Sequence, residues 1–204
     1  MVKLLNEPVL KLSTKYQAAI GRIVEAWATF EHMLAMHLIM LTWTNVDAGS
    51  CLMAQFSFAN QRLTALAALV HLYNGDKKLL RKISRFADET QKLAMRRNRI
   101  VHDPWQRAKN TGLHYRLEIS AQRRLVFEPK AVEFSTLKAL ERDIRDHVKK
   151  FEALWSLITN DRRVRASWTQ SFPPLSPAVL LAPQPSDTGS DEAKSRRPRR
   201  SSRA

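Results

Sequence analysis

Six consecutive residues, Arg97-Asn98-Arg99-Ile100-Val101-His102, carry side chains suited to chemistry at a phosphate ester. An imidazole can remove or deliver a proton near neutral pH. A guanidinium can hold a phosphate through paired hydrogen bonds and offset the charge that builds in a transition state. In RNA the 2′-OH can attack the adjacent phosphate once a base takes its proton. The products are then a 2′,3′-cyclic phosphate and a free 5′-OH. DNA lacks the 2′-OH and is inert to this reaction. Asn98 and His102 stand four residues apart, so a helix places them side by side, where the amide can hold one tautomer of the imidazole. Arg97 lies about 140° from His102 around a regular helix. On that count the two flank a corner and meet only if the helix end distorts or a second helix completes the site.

The surroundings are basic. The 204-residue chain has a formal net charge of +15. Residues 77–124 hold 14 Lys or Arg against four Asp or Glu, so two thirds of the excess surrounds this stretch. A positive field of that size favours a polyanion, nucleic acid first. Arg96 and Arg99 point away from Arg97 on the same helix. With Lys109 they are read as general charge for RNA.

The length suits one domain with a proper core. Apolar residues make up 44%, Gly is scarce at five, and six of nine Pro follow residue 170. That distribution favours a helical body followed by a different segment. The single Cys51 gives no sign of an oxidising compartment. The first residues lack an apolar signal core. The most apolar run, 33–43, falls short of the ~20 residues that span a bilayer. The expectation is a cytoplasmic protein with no membrane partner.

Apolar spacing predicts four long helices. After an irregular lead-in over residues 1–13, the first runs from Ser13 or Thr14 to about Thr44. Glu31 sits on its apolar stripe between Trp27 and Leu34, where a carboxylate needs a partner. Asn45 to Ser50 reads as a turn, and the second helix runs from about Cys51 to Tyr73, with Arg62 near its apolar edge. Asn74-Gly75 stops it, with Gly75 expected in the left-handed conformation. Asp76 caps the third helix, from Lys77 to about His102, which Pro104 ends. Leu79 to Arg97 is five whole turns, so Arg97 projects inward as Leu79 does. Residues 106–112 read as a polar loop. The alternation Leu113, Tyr115, Leu117, Ile119 reads as a strand, with Ser120-Ala121-Gln122 as its turn, Arg124–Phe127 as a second strand and Ala131–Phe134 as a short third. This hairpin, about 113–134, precedes a last helix capped by Ser135 and running to about Asn160. Arg162–Arg165 frays from it. The helical domain therefore spans 14–165, and 166–204 reads as a Pro- and Arg-rich disordered tail. The class is all-α: a four-helix bundle with an inserted hairpin.

Other chemistries lack their residues. Five scattered Gly make no phosphate loop. One Cys, and no His pair four apart, supply no structural zinc site. No nucleophile elbow is present. An enzyme built on this chain is expected to work with Arg, His, Asn and Glu, with no metal and no cofactor.

Arg97-Asn98-x-x-x-His102 resembles the Arg-polar-x-x-x-His motif of HEPN domains. These are small helical bundles, many of them dimeric, metal-independent endoribonucleases of toxin–antitoxin, antiviral and RNA-processing systems. The resemblance covers the helical body, about residues 14–160, and its specific part is six residues long. It implies that Arg97 and His102 are the catalytic pair, Asn98 a supporting residue, and the site a composite of two protomers. Glu31, with Trp27, is compatible with the family's polar residue facing the motif helix. The partners implied are RNA, a second copy of the chain, and an antitoxin or nucleotidyltransferase. Two plainer readings stand beside this one. Arg97 pairs with Glu31 inside the bundle and His102 caps its helix, or the chain is a non-catalytic HEPN-like interaction or RNA-binding module.

Overall fold

A computed structural model describes residues 9–120 and 126–171. They form a mostly helical fold with a small antiparallel sheet. The elements, in chain order, are β1 (Val9–Leu10), α1 (Thr14–Thr42), α2 (Val46–Met53), α3 (Ala59–Leu72), α4 (Lys77–His102), β2 (Trp105–Ala108), β3 (His114–Ser120), β4 (Val126–Ala131), α5 (Phe134–Asn160) and α6 (Arg162–Ser171). None of these helices is long and apolar enough to cross a membrane.

Helix α1 is central and packs against α2, α3, α4 and α5. Most of its predicted stripe is its buried face, with Ile23, Trp27, Phe30, Leu34, Leu38 and Leu41 inside, whereas Ile20 is half-buried and Val24, also predicted on the stripe, is exposed. Phe30 is fully buried and meets Phe86 of α4 and Phe151 of α5 with ring centroids 6.2 and 6.0 Å apart. These three helices thus close on one aromatic cluster, the kind of contact that adds to plain area burial.

Several boundaries differ from the sequence reading. Asn45–Ser50 is no turn. Asn45 accepts a hydrogen bond from Ala48 N at 2.7 Å and starts α2. The expected helix from Cys51 to Tyr73 is two helices, broken between Met53 and Ala59. Arg62 braces the break by donating to carbonyls in it, at its edge and on α1. Its Nη2 donates to Phe56 O at 3.2 Å and to Met53 O at 3.5 Å, and its Nη1 donates to Glu31 O at 3.1 Å. One side chain thereby ties α1, the break and α3 together.

At the end of α3 the left-handed residue is Asn74, with φ 59°, and not Gly75. Gly75 is needed for space. Its N donates to Val70 O at 2.8 Å, and a Cβ on it would lie 2.5 Å from Val70 Cγ1 and 2.8 Å from Val70 O. The carbonyl belongs to the helix and has little room to move. Gly75→Ala should therefore cost about 1–3 kcal/mol through overpacking, read as a lowered thermal midpoint. An unchanged midpoint would show that the turn relaxes freely.

Helix α4 begins as expected. Asp76 accepts from Leu79 N at 2.6 Å, and this bond is the main reason its carboxyl pKa is lowered. Helix α5 starts earlier than a Ser135 cap would set it, with Glu133 in the N-cap position and no side-chain capping bond. The Ser135 hydroxyl bonds the Glu133 carboxylate at 3.0 Å. Arg162–Arg165 does not fray. Asp161 accepts from Arg163 N and Val164 N and starts α6, which carries regular structure to Ser171, past the expected domain end at 165. The expected turn at Ala121-Gln122, the start of the expected second strand and the tail from 172 onward lie outside the described residues.

The inserted unit is larger than a hairpin. The sheet has the order β1-β2-β3-β4. Part of the lead-in forms β1, with Val9 opposite Ala108 and Leu10 opposite Arg107. Part of the supposed polar loop forms β2, with Trp105 opposite Arg116 and Gln106 opposite Tyr115. The short third strand is absent as a separate element, because residues up to Ala131 continue β4. Pro129 lies on that outer strand, where a missing N–H is tolerated. Tyr16 of α1 joins sheet to helices. It stacks on His114 at 3.7 Å, and its hydroxyl donates to Val132 O at 3.1 Å. Burial, with Arg107 nearby, pushes the His114 pKa down.

Candidate active site

The side chains of Arg97, Asn98 and His102 line one groove of about 510 Å3. Its other walls come from Trp27 and Glu31 of α1, from Thr90, Gln91, Ala94 and Met95 of α4, and from residues 57–61 at the start of α3. The volume falls in the range of small-ligand sites, ~300–1,000 Å3.

Arg97 and His102 meet within one chain. Arg97 Nη1 lies 3.3 Å from His102 Nε2 and donates to Asn98 Oδ1 at 3.0 Å. The sequence reading has them meet only through a distorted helix end or a second helix, and the contact needs neither. The 140° separation holds for Cα directions, but the arginine side chain is long and His102 is the last residue of the helix. Asn98 also differs from expectation. Its side-chain oxygen accepts from Arg97 and not from the imidazole, so it orients the guanidinium. Arginine has only donors. A hydrogen bond at this contact therefore requires a lone pair on His102 Nε2, with the ring proton on Nδ1.

Arg97 is half-buried. Its Nε is buried and has no hydrogen-bond partner among the described residues. No ion pair joins it to Glu31; among the described residues Glu31 is held through its backbone carbonyl by Arg62. The sealed Arg97–Glu31 pair is therefore not formed. Both residues line the groove, and among the described residues the Arg97 guanidinium has no carboxylate within ion-pair distance. His102 is exposed and Trp27 is buried beneath.

The end of α4 is set by the sheet. Asp103 binds Arg116 of β3 directly, and Arg99 lies 3.7 Å from Asp103 and 3.8 Å from Glu118. Arg116 also reaches Glu118 at 3.2 Å. Leu117 N donates to Pro104 O at 2.8 Å, and Trp105 Nε1 donates to Ile100 O at 2.7 Å. The last turn of the helix is thus fixed from the side opposite the groove. Asp103→Ala removes a charge-assisted hydrogen bond and should cost about 1–3 kcal/mol. It should also speed amide hydrogen exchange over residues 99–102; unchanged exchange there would mean that the helix end holds itself.

The cations expected to bind RNA are not in the groove. Arg96 pairs with Asp143 at 2.8 Å, and Arg99 belongs to the network just described. Both line a second hollow, with Arg116 and Lys130, on another face of α4. Each cation there has an acidic partner, so the hollow carries little net field. Lys109 is exposed in the turn between β2 and β3 and lines neither.

The sequence reading missed Ser57, Phe58, Asn60, Gln61 and Gln91 as groove residues. Phe58 precedes α3 where Ser, Thr, Asp or Asn is usual. The only local signal is Gln61, three residues on, whose Oε1 accepts from Phe58 N at 3.2 Å. With Phe in the capping position, that half-motif is invisible to pattern reading. Among the described residues no three of His, Cys, Asp or Glu cluster as a metal site would require. Comparison with protein-family models, with curated proteins and with solved structures gives no match.

Proposed function

We propose that the chain is a HEPN-like endoribonuclease, working without a metal through 2′-OH attack on the adjacent phosphate. One observation carries the reading: Arg97, which has no ion pair and a buried Nε–H without a partner among the described residues, touches the Nε2 of an exposed His102 at the wall of an open groove. A scissile phosphate replaces His102 as the acceptor for the Arg97 guanidinium. Its binding thereby frees the Nε2 lone pair to take the 2′-OH proton. Arg97 then faces the developing charge on the phosphate oxygens. Asn98 holds the guanidinium in place. The proton on the imidazole is available to the leaving 5′ oxygen. Helices α1, α3, α4 and α5 correspond in this reading to the four-helix bundle of that family, and a homodimer would set a second Arg97 and His102 across the groove.

The test is incubation of the full chain with single-stranded RNA and single-stranded DNA of the same sequence, in EDTA. Cleavage of RNA alone, with 2′,3′-cyclic phosphate ends, is expected. Cleavage of both strands, or of neither, overturns the reading. RNA binding without cleavage would instead favour a binding module.

A further inference from the structure

Phe58 is the least explained large side chain of the groove. It is 65% exposed, although it stands at the wall of a site whose aromatic floor, Trp27, is buried. Among the described residues no aromatic ring packs on it. As the residue before α3 it offers no side-chain acceptor, so it forgoes the capping bond that Ser, Thr, Asp or Asn would make there. Folding gives the ring no use. Its backbone, in contrast, is held firmly. Gln61 Oε1 accepts from its N–H, and Arg62 bonds Phe56 O within the break and Glu31 O of α1. The backbone that carries this exposed ring is thus held at the wall of the groove that Arg97 also lines. Around it are amides, Asn60, Gln61 and Gln91, able to bond the edge of a base. Exposed Met95 is the one other large apolar side chain of the rim. An isolated aromatic among amides and a cation suits a nucleobase better than a protein surface, which would need a wider apolar patch.

We propose that Phe58 is the platform on which an unpaired base next to the bound phosphate stacks, making single-stranded RNA the substrate class of the groove. The proposal rests on the ribonuclease reading for the choice of RNA. Bases within a duplex are stacked on one another and cannot offer a face to the ring.

The test uses the full chain and a single-stranded oligodeoxynucleotide carrying 2-aminopurine, a probe that cannot undergo 2′-OH attack. Phe58 is exposed, so its variants should fold as the wild type does. The wild type should quench the probe in the single strand, while the same probe in a duplex, already dim because its neighbours stack on it, should not change on adding protein. Phe58→Ala and Phe58→Leu should abolish quenching and weaken binding about 5- to 150-fold, the range that loss of ~1–3 kcal/mol of base stacking implies. Phe58→Trp should restore both. The platform is overturned if the Leu variant quenches as the wild type does, if the duplex is quenched equally, or if no single strand binds. It is also overturned if Phe58→Leu turns a dimer into a monomer while quenching persists, since the ring is then a protein contact. Quenching as expected, with no cleavage of the matching RNA, keeps the platform and removes the ribonuclease. Cleavage with Phe58-independent quenching does the reverse.

Discussion

His102→Ala is expected to slow single-turnover cleavage of single-stranded RNA by about 10²–10⁴-fold, the usual loss when a positioned acid–base group is removed. Arg97→Ala should slow it by about 10²–10³-fold, the scale for losing one donor to a developing oxyanion. Arg97→Lys should not restore the rate, because an ammonium lacks the planar fork that meets both Asn98 and a phosphate. Thermal unfolding separates chemistry from structure. His102 is exposed, and its one described side-chain contact is with Arg97. Its loss should leave the melting midpoint within a degree or two, since surface changes of this kind are usually within ~0.5 kcal/mol. Equal cleavage by wild type and both alanine variants would remove the pair from the mechanism.

The second large effect concerns stability. Acid should weaken the fold through His147. This residue is 4% exposed in the aromatic cluster, stacked on Phe86 at 4.1 Å and edge-on to Phe30 at 5.3 Å. Thr90 Oγ1 donates to Phe86 O at 2.8 Å, so it accepts from His147 Nε2, 2.7 Å away. The arrangement holds a neutral imidazole. Burial pushes its pKa down to about 4; Glu89 opposes the shift and Lys150 adds to it. The unfolded chain takes up a proton near pH ~6.5 and the folded chain only near 4. Stability from this group is therefore complete above about pH 6.5 and is lost as pH falls towards 4. At ~1.4 kcal/mol per pH unit the whole effect is about 3 kcal/mol. Urea unfolding between pH 7.5 and 4 measures it. His147→Gln, which keeps a donor for Thr90, should flatten that part of the profile. A variant with the wild-type slope would place the acid sensitivity elsewhere.

The helical body was legible because its signal is periodic. Leu79 to Ile100 on α4 and Leu137 to Ile158 on α5 repeat every three or four residues, and these faces are buried. His147 was not legible on α5, since a histidine at helical spacing looks polar until its stacking partners are known. The break before α3 was hidden for a related reason: apolar spacing runs through Phe56 and Ala59, and the Arg62 contacts that brace the interruption reach across from α3. Strand β2 failed the alternation test because Trp-Gln-Arg-Ala pairs through its backbone and buries little. In the groove, Arg97 and His102 could be picked out by residue type. Their contact could not, because helical angles describe where Cα–Cβ bonds point and ignore how far an arginine reaches. Phe58 lay beyond sequence reasoning altogether, since its meaning depends on what stands opposite.

The tie between the end of α4 and β3 also fixes an order in time. Arg97 and His102 leave the ribosome before Arg116 and Glu118, the residues that clamp their helix. Strand β1 waits longer still, because its partners Arg107 and Ala108 follow it by about a hundred residues. Contacts of such separation form late, after the cost of closing the intervening chain has been met. A nascent chain that has exposed the motif therefore carries Arg97 and His102 on an unclamped helix end. A chain truncated after residue 113 keeps every residue of the motif and none of the strand that fixes it.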